Sequence, residues 1–141
     1  MIGGMGEDPL ALCRRAYELY GQGHFDEMLE LFAADVEVYV APPNFESGTY
    51  HGRGAYRLLI ERWGGAWSEM VIEPQSMELA GDWVLAKVQY RGRTSEADLE
   101  VQQMSWELSL WRDSQVRRYE VYWDPEQGQA AFAERELQAR S

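Results

Sequence analysis

Hydrophobic and polar positions alternate most regularly over residues 104–123. There Met104, Trp106, Leu108 and Leu110 fall on one face, and Ser105, Glu107 and Ser109 on the other. Alternation stops at Arg112-Asp113-Ser114-Gln115 and returns with Tyr119, Val121 and Trp123 set against Arg118, Glu120 and Tyr122. The pattern predicts a long antiparallel hairpin with one buried, aromatic-rich face, that of Trp106 and Leu108. Before it, Asp8-Pro9 supplies a helix cap and a first-turn proline for a helix carried by Leu12, Ala16, Leu19 and Tyr20, which ends at Gly21-Gln22-Gly23. A short helix over 25–32, a strand over 35–40, a turn-rich loop over 41–53 and a helix over 55–67 follow. Tyr56, Leu59, Ile60, Trp63 and Trp67 form the apolar side of that last helix. Strands are predicted over 70–79, interrupted by Pro74, and over 83–91, with a polar connection over 92–98 and a final helix over 126–139. The order is that of an α+β domain spanning 9–139, preceded by a Gly-rich, flexible 1–8.

Composition narrows what such a domain can do. In 141 residues there are six Trp, eight Tyr and four Phe, more aromatics than a small core needs, so some are expected to line a cavity or an interface. The net charge of −11 repels phosphate backbones and anionic lipid, which argues against nucleic acid and membrane partners. Cys13 is the only cysteine, and the two histidines, His24 and His51, are too far apart in sequence to suggest a metal site. The N-terminus lacks the pattern of a signal peptide and no apolar run reaches the length of a membrane span, so the cytoplasm is the default location.

Four patches, in order, resemble the SnoaL-like proteins of the nuclear transport factor 2-like superfamily. They are Tyr20-Gly21-Gln22-Gly23-His24-Phe25-Asp26 with Leu31-Phe32-Ala33-Ala34-Asp35-Val36; Gly48-Thr49-Tyr50-His51-Gly52-Arg53-Gly54; Ala80-Gly81-Asp82-Trp83-Val84; and the closing Tyr122-Trp123-Asp124. The resemblance implies a curved antiparallel sheet forming a cone around a pocket, covered by three N-terminal helices. It would place Val38, Val40, Val84, Ala86, Val88, Tyr90, Trp106, Leu108, Tyr119, Val121 and Trp123 toward the cavity, joined by Ala16 and Tyr20, with Tyr17 a further candidate, from the first helix and by Tyr56, Leu59 and Trp63 from the third. The ligand-binding candidates are therefore Tyr17, Tyr20, Tyr56, Trp63, Tyr90, Trp106, Tyr119 and Trp123. Trp83, Leu85, Trp111 and Tyr122 would face outward and pair two copies into a homodimer.

The resemblance also implies places to look for chemistry. The superfamily's ketosteroid isomerases use a first-strand carboxylate base, a helix-one tyrosine and a late-strand aspartic acid. Those positions fall here on Val40, Ala16 and Trp106, so isomerase chemistry of that kind is not expected. The Asp-Arg-Asp array of its epoxide hydrolases has no counterpart among the inward positions. For the acidic residue of its polyketide cyclases, Asp124 and Glu100 are the candidates, against a helix cap and a solvated strand end; His51 could contact a ligand from a pocket lip. The reading is a protein that binds a small hydrophobic, ring-containing molecule. The alternatives are a cyclase, isomerase or hydrolase working by acid–base chemistry without cofactor, and a non-catalytic dimeric module whose cone is filled by its own side chains.

Overall fold

The computed structural model describes residues 8–43, 46–65, 67–94 and 96–140, the side chain of Ser68 excepted. The flexible segment expected over 1–8 lies outside the described residues apart from Asp8, as do Asn44 and Phe45 of the predicted loop. Asp8 caps helix α1 (Pro9–Gly21), its side chain accepting from the Leu10 amide at 3.1 Å, with Pro9 in the first turn. Helix α2 (Phe25–Leu29) is a single turn, shorter than predicted because Phe32 already pairs as the first residue of β1 (Phe32–Val40). The stretch read as loop contains a short strand, β2 (Gly48–His51), antiparallel to β1 from Glu37 opposite His51 to Val40 opposite Gly48. Four residues carry too little alternation to announce a strand.

Then follow α3 (Arg53–Gly65), β3 (Trp67–Ala80), β4 (Trp83–Thr94), β5 (Glu100–Arg112), β6 (Gln115–Tyr122) and α4 (Pro125–Ala139). The strands order as β2-β1-β6-β5-β4-β3. Neighbours are antiparallel except β1 and β6, which run parallel with Val38 opposite Tyr119 and Val40 opposite Val121. Within this otherwise antiparallel sheet, parallel neighbours need a long crossover, and the intervening α3 and four strands supply one. Pro74 sits in the edge strand β3, where a missing ladder donor is tolerated, and the register slips between Pro74 and Ser76.

The sheet is curved. Helix α3 packs on both β1 and β3, which have three strands between them, and α1 packs on β3 and β4. Under these helices lies the main core, built from Leu12, Leu19, Val36, Val38, Val40, Leu59, Ile60, Val84, Val116 and Val121. The opposite face is closed by α4. Phe132 packs there with Leu85, Trp106, Leu108 and Ala80, and the helix comes so close that a Cβ on Gly128 would stand 2.3 Å from the Trp106 Cβ. Glu120, 1% exposed on this side, is held by Arg118 Nε at 2.5 Å, Arg135 Nη2 at 2.8 Å and the Tyr122 hydroxyl at 2.9 Å, while the Arg135 guanidinium lies 4.5 Å over the Trp83 ring.

This second layer overturns the facing assigned to β5. Trp106 and Leu108, expected in the cavity, are buried beneath α4; Trp111, expected outside, belongs to the inner core. A shift of one residue moves every side chain of a strand to the other face. Because β5 is covered on both sides, all of residues 105–109 are buried and hydrophobicity alone does not select the inner set. Part of the apolar surface on which the homodimer expectation rested, at Leu85, is met within the chain by α4.

A buried carboxylate ringed by hydroxyls as the candidate functional site

With β5 in its observed phase, Ser105, Glu107 and Ser109 face the concave side. They lie opposite Val88, Ala86 and Val84 of β4, and Glu107 and Ser109 lie opposite Val121 and Tyr119 of β6. Glu107 is 2% exposed. Its Oε1 accepts from the Tyr17 hydroxyl of α1 at 2.6 Å and from the Tyr119 hydroxyl of β6. Its Oε2 accepts from the Tyr90 hydroxyl of β4 and from Ser105 Oγ, both at 2.6 Å. Two oxygens with two donors each use the full acceptor capacity of a carboxylate. A carboxylate withdrawn from water is costly unless it is hydrogen-bonded, and all four partners here are neutral hydroxyls.

The tyrosines are held in their donor form. Burial, and after it the charge of Glu107, keeps the hydroxyls of Tyr17, Tyr90 and Tyr119 well above the usual tyrosine range. Burial raises Tyr20 as well, with Glu107 adding to it. Tyr56, raised by burial and then by Tyr20 and Glu107, packs its ring on Phe32 and Tyr119 at centroid distances of 4.8 and 5.7 Å. Further in, Ser109 Oγ accepts from Trp111 Nε1 at 2.8 Å and stands 3.9 Å from Cys13 Sγ. Burial pushes the Cys13 thiol up to about 12, which leaves it without nucleophilic character at neutral pH.

A cavity of about 140 Å³ opens beside Glu107 and Tyr90, with Tyr20, Trp63, Trp67, Gln103 and Trp123 among its other walls. Beneath α1 a second space of about 30 Å³, bordered by Cys13, Tyr17, Tyr56 and Tyr119, has room for water rather than a ligand. A cavity near 150 Å³ is of the order that takes up a benzene-sized molecule. The aromatic side chains thus fill most of the concave face and leave a space for one flat ring beside the carboxylate.

The expected residues separate cleanly. Tyr20, Trp63, Tyr90 and Trp123 line the cavity; Tyr17 and Tyr119 reach its carboxylate; Tyr56 lies deeper; Trp106 is on the other face of the sheet. Of the acid–base candidates, Asp124 is the N-cap of α4, accepting from the Glu126 amide at 2.7 Å. Glu100 is exposed at the start of β5, opposite Arg93. His51 is exposed on β2, its Nδ1 3.3 Å from Glu37 Oε2. None of the three meets the cavity. Of the other two mapped positions, Ala16 lies in the inner core and Trp106 on the far face of the sheet, while their neighbours Tyr17 and Glu107 project inward and meet at 2.6 Å. The base position on β1 stays apolar, with Val38 and Val40 fully buried. Glu107, Ser105, Trp67 and Gln103 were missed. One signal was present: three tyrosines on otherwise apolar faces need a buried acceptor, and Glu107 is the acidic member of the alternate face of β5. Among the described residues no group of three or more His, Cys, Asp or Glu side chains is placed to hold a metal ion.

A family model for the SnoaL-like domain matches residues 13–119. No curated protein matches the chain. Among solved structures, a nuclear transport factor 2-like protein of unknown function from Burkholderia pseudomallei superposes with a TM-score of 0.74 at 16% identity, covering 84% of this chain and 92% of the other. TerC, co-crystallised with polyporic acid, gives 0.72 at 17% identity over 92% and 98% of the two chains. A Mesorhizobium loti protein assigned as a SnoaL-like polyketide cyclase gives 0.63 at 17% identity over 80% and 97%. Among the described residues no helix is long and apolar enough to cross a membrane.

Proposed function

The chain belongs to the SnoaL-like domain family, and from that premise and the surroundings of Glu107 we propose that it binds a small hydrophobic, ring-containing molecule and acts on it by acid–base chemistry without a cofactor. One observation carries the reading: a buried carboxylate, hydrogen-bonded only by hydroxyls, shares a cavity with one of its own donors, Tyr90. In this reading a flat ring stacks among Trp63, Trp67 and Trp123. An acidic hydrogen of the ligand takes the place of the Tyr90 hydroxyl at Oε2 and passes to Glu107. The released Tyr90 hydroxyl donates to the ligand oxygen where negative charge develops. Tyr17, Tyr119 and Ser105 stay in place and keep the carboxylate oriented. The likeness to TerC, crystallised with polyporic acid, and to a protein assigned as a polyketide cyclase is in keeping with a ring-containing ligand.

A second reading, binding without proton transfer, is favoured by the saturation of the carboxylate, whose acceptor sites are all occupied before a ligand arrives. Hydrogen–deuterium exchange separates the two. 2-Tetralone, a ring ketone with acidic hydrogens beside its carbonyl, is incubated with the protein in D2O and followed by proton NMR. The expected result is exchange on the order of 100-fold faster than in buffer, lost in Glu107→Gln and slowed in Tyr90→Phe. A ketone that binds but does not exchange establishes the binder. A ketone that neither binds nor exchanges refutes both.

A further inference from the structure

The cavity beside Glu107 shares its walls with larger spaces. Tyr20, Trp67 and Met70 line it and also line a second space of about 160 Å³, which Gly21 and Ile72 border on the far side. Gly21, Met70 and Ile72 belong in turn to a groove of about 570 Å³ between α1 and β3. Three spaces are therefore neighbours, with Met70 a wall of each, and the outermost is the groove.

We propose that the groove between α1 and β3 is the tail-binding part of the ligand site, so that the ligand is elongated: a single flat ring beside Glu107 and an unbranched, uncharged aliphatic chain running past Met70 and Ile72 into the groove. The inference rests on the reading of the Glu107 cavity as a ligand site and adds the shape and class of what it takes. Size excludes a fused polycycle lying wholly inside, because about 140 Å³ holds one ring. The groove floor is a strip of Met70, Ile72, Pro74 and Met77, and the two thioether chains adapt well to a string of methylenes. Charge decides against an acidic tail. Arg14 stands one helical turn before Glu18 on the groove wall, so the rim carries no net charge, and the chain as a whole is at −11.

Gly21 keeps the way open. It is the last residue of α1, it borders both the groove and the middle space, and a Cβ built on it meets nothing within 4 Å. A Cβ there meets no clash, so a large side chain can be placed at the border shared by the two spaces. The experiment uses phenol, 4-propylphenol and 4-hexylphenol as probes, with affinities measured by calorimetry on the full chain and on Gly21→Phe and Met77→Gln.

The expected result for the unaltered protein is an affinity that rises with chain length, by up to roughly fourfold per methylene buried. In Gly21→Phe, phenol binds as before but the gain with chain length is lost. In Met77→Gln the gain for 4-hexylphenol is reduced and phenol is unaffected. A chain-length series that is flat in the unaltered protein, or equally steep in both variants, overturns the groove. If none of the three phenols binds, the reading of the cavity itself fails and the groove falls with it. If phenol binds and loses affinity in Glu107→Gln while longer chains add nothing, the cavity stands and only the groove is refuted.

Discussion

Replacing Glu107 by Gln keeps the shape of the side chain and removes one acceptor oxygen. The amide oxygen retained by Gln satisfies two of the four hydroxyls, either those of Tyr17 and Tyr119 or those of Tyr90 and Ser105. At the other end the amide N–H groups can donate to hydroxyl oxygens, but the hydrogens those hydroxyls gave the carboxylate lose their acceptor. Each orphaned buried donor costs about 1–3 kcal/mol, so two cost about 2–6 kcal/mol. Relief of the buried charge offsets part of this, which places the expected loss near ~3 kcal/mol, a large share of a domain's stability of about 5–15 kcal/mol. Urea unfolding followed by tryptophan fluorescence would then show a midpoint lower by about 1–3 M at the usual slopes. In the Glu107→Gln background, Tyr90→Phe or Tyr119→Phe removes one orphaned hydroxyl, and the better of the two double variants should recover about 1 kcal/mol or more. A loss below about 1 kcal/mol in Glu107→Gln, with no coupling to either tyrosine, would refute the convergence of the four hydroxyls on this carboxylate.

Alkaline stability should report the same network. The hydroxyls of Tyr17, Tyr56, Tyr90 and Tyr119 ionise more easily unfolded than folded, so their contribution is intact below about pH 10 and lost as pH rises beyond it. The slope is up to about 1.4 kcal/mol per pH unit for each, read by urea unfolding between pH 8 and 11.5; flat stability over that range counts against their burial. Gly128→Ala should destabilise by about 1–3 kcal/mol in thermal melts, the reverse of the usual helical Gly-to-Ala gain, because the new methyl meets Trp106; an unchanged or higher midpoint would mean that α4 does not sit on β5. Cys13 should resist Ellman's reagent in the folded protein at pH 8 and react fully in urea, and rapid reaction without denaturant would contradict its burial.

Most secondary elements were legible because their determinants are local. Asp8-Pro9 and Asp124-Pro125 start helices by capping chemistry that involves only neighbouring residues. The turn at Gly81 is set by a positive φ of 61°, and the long hairpin by period-two alternation. Two elements were misjudged where local signal is thin. One was β2, four residues among turn formers, and the other Trp67, which starts β3 rather than ending α3. The candidate site was half visible. Its rings, Tyr20, Trp63, Tyr90 and Trp123, stood on apolar faces that alternation or helical spacing marks, whereas its carboxylate stood on the face of β5 read as outer.

By itself the sequence determined where most helices and strands lie and which side chains of a strand travel together, since both follow from capping, turn chemistry and the pleat. Which set on β5 turns inward was decided only in three dimensions. Trp106 and Leu108 form as apolar a stripe as any inner face, but α4, fitted through Gly128, claims it from the far side. Tyr17, far from β5 in the chain, and Tyr90 of the neighbouring β4 then meet Tyr119 and Ser105 around Glu107. A period-two pattern labels two faces without naming the interior one. Where helices cover both, tertiary packing and the need of buried hydroxyls and a buried charge for one another make the choice.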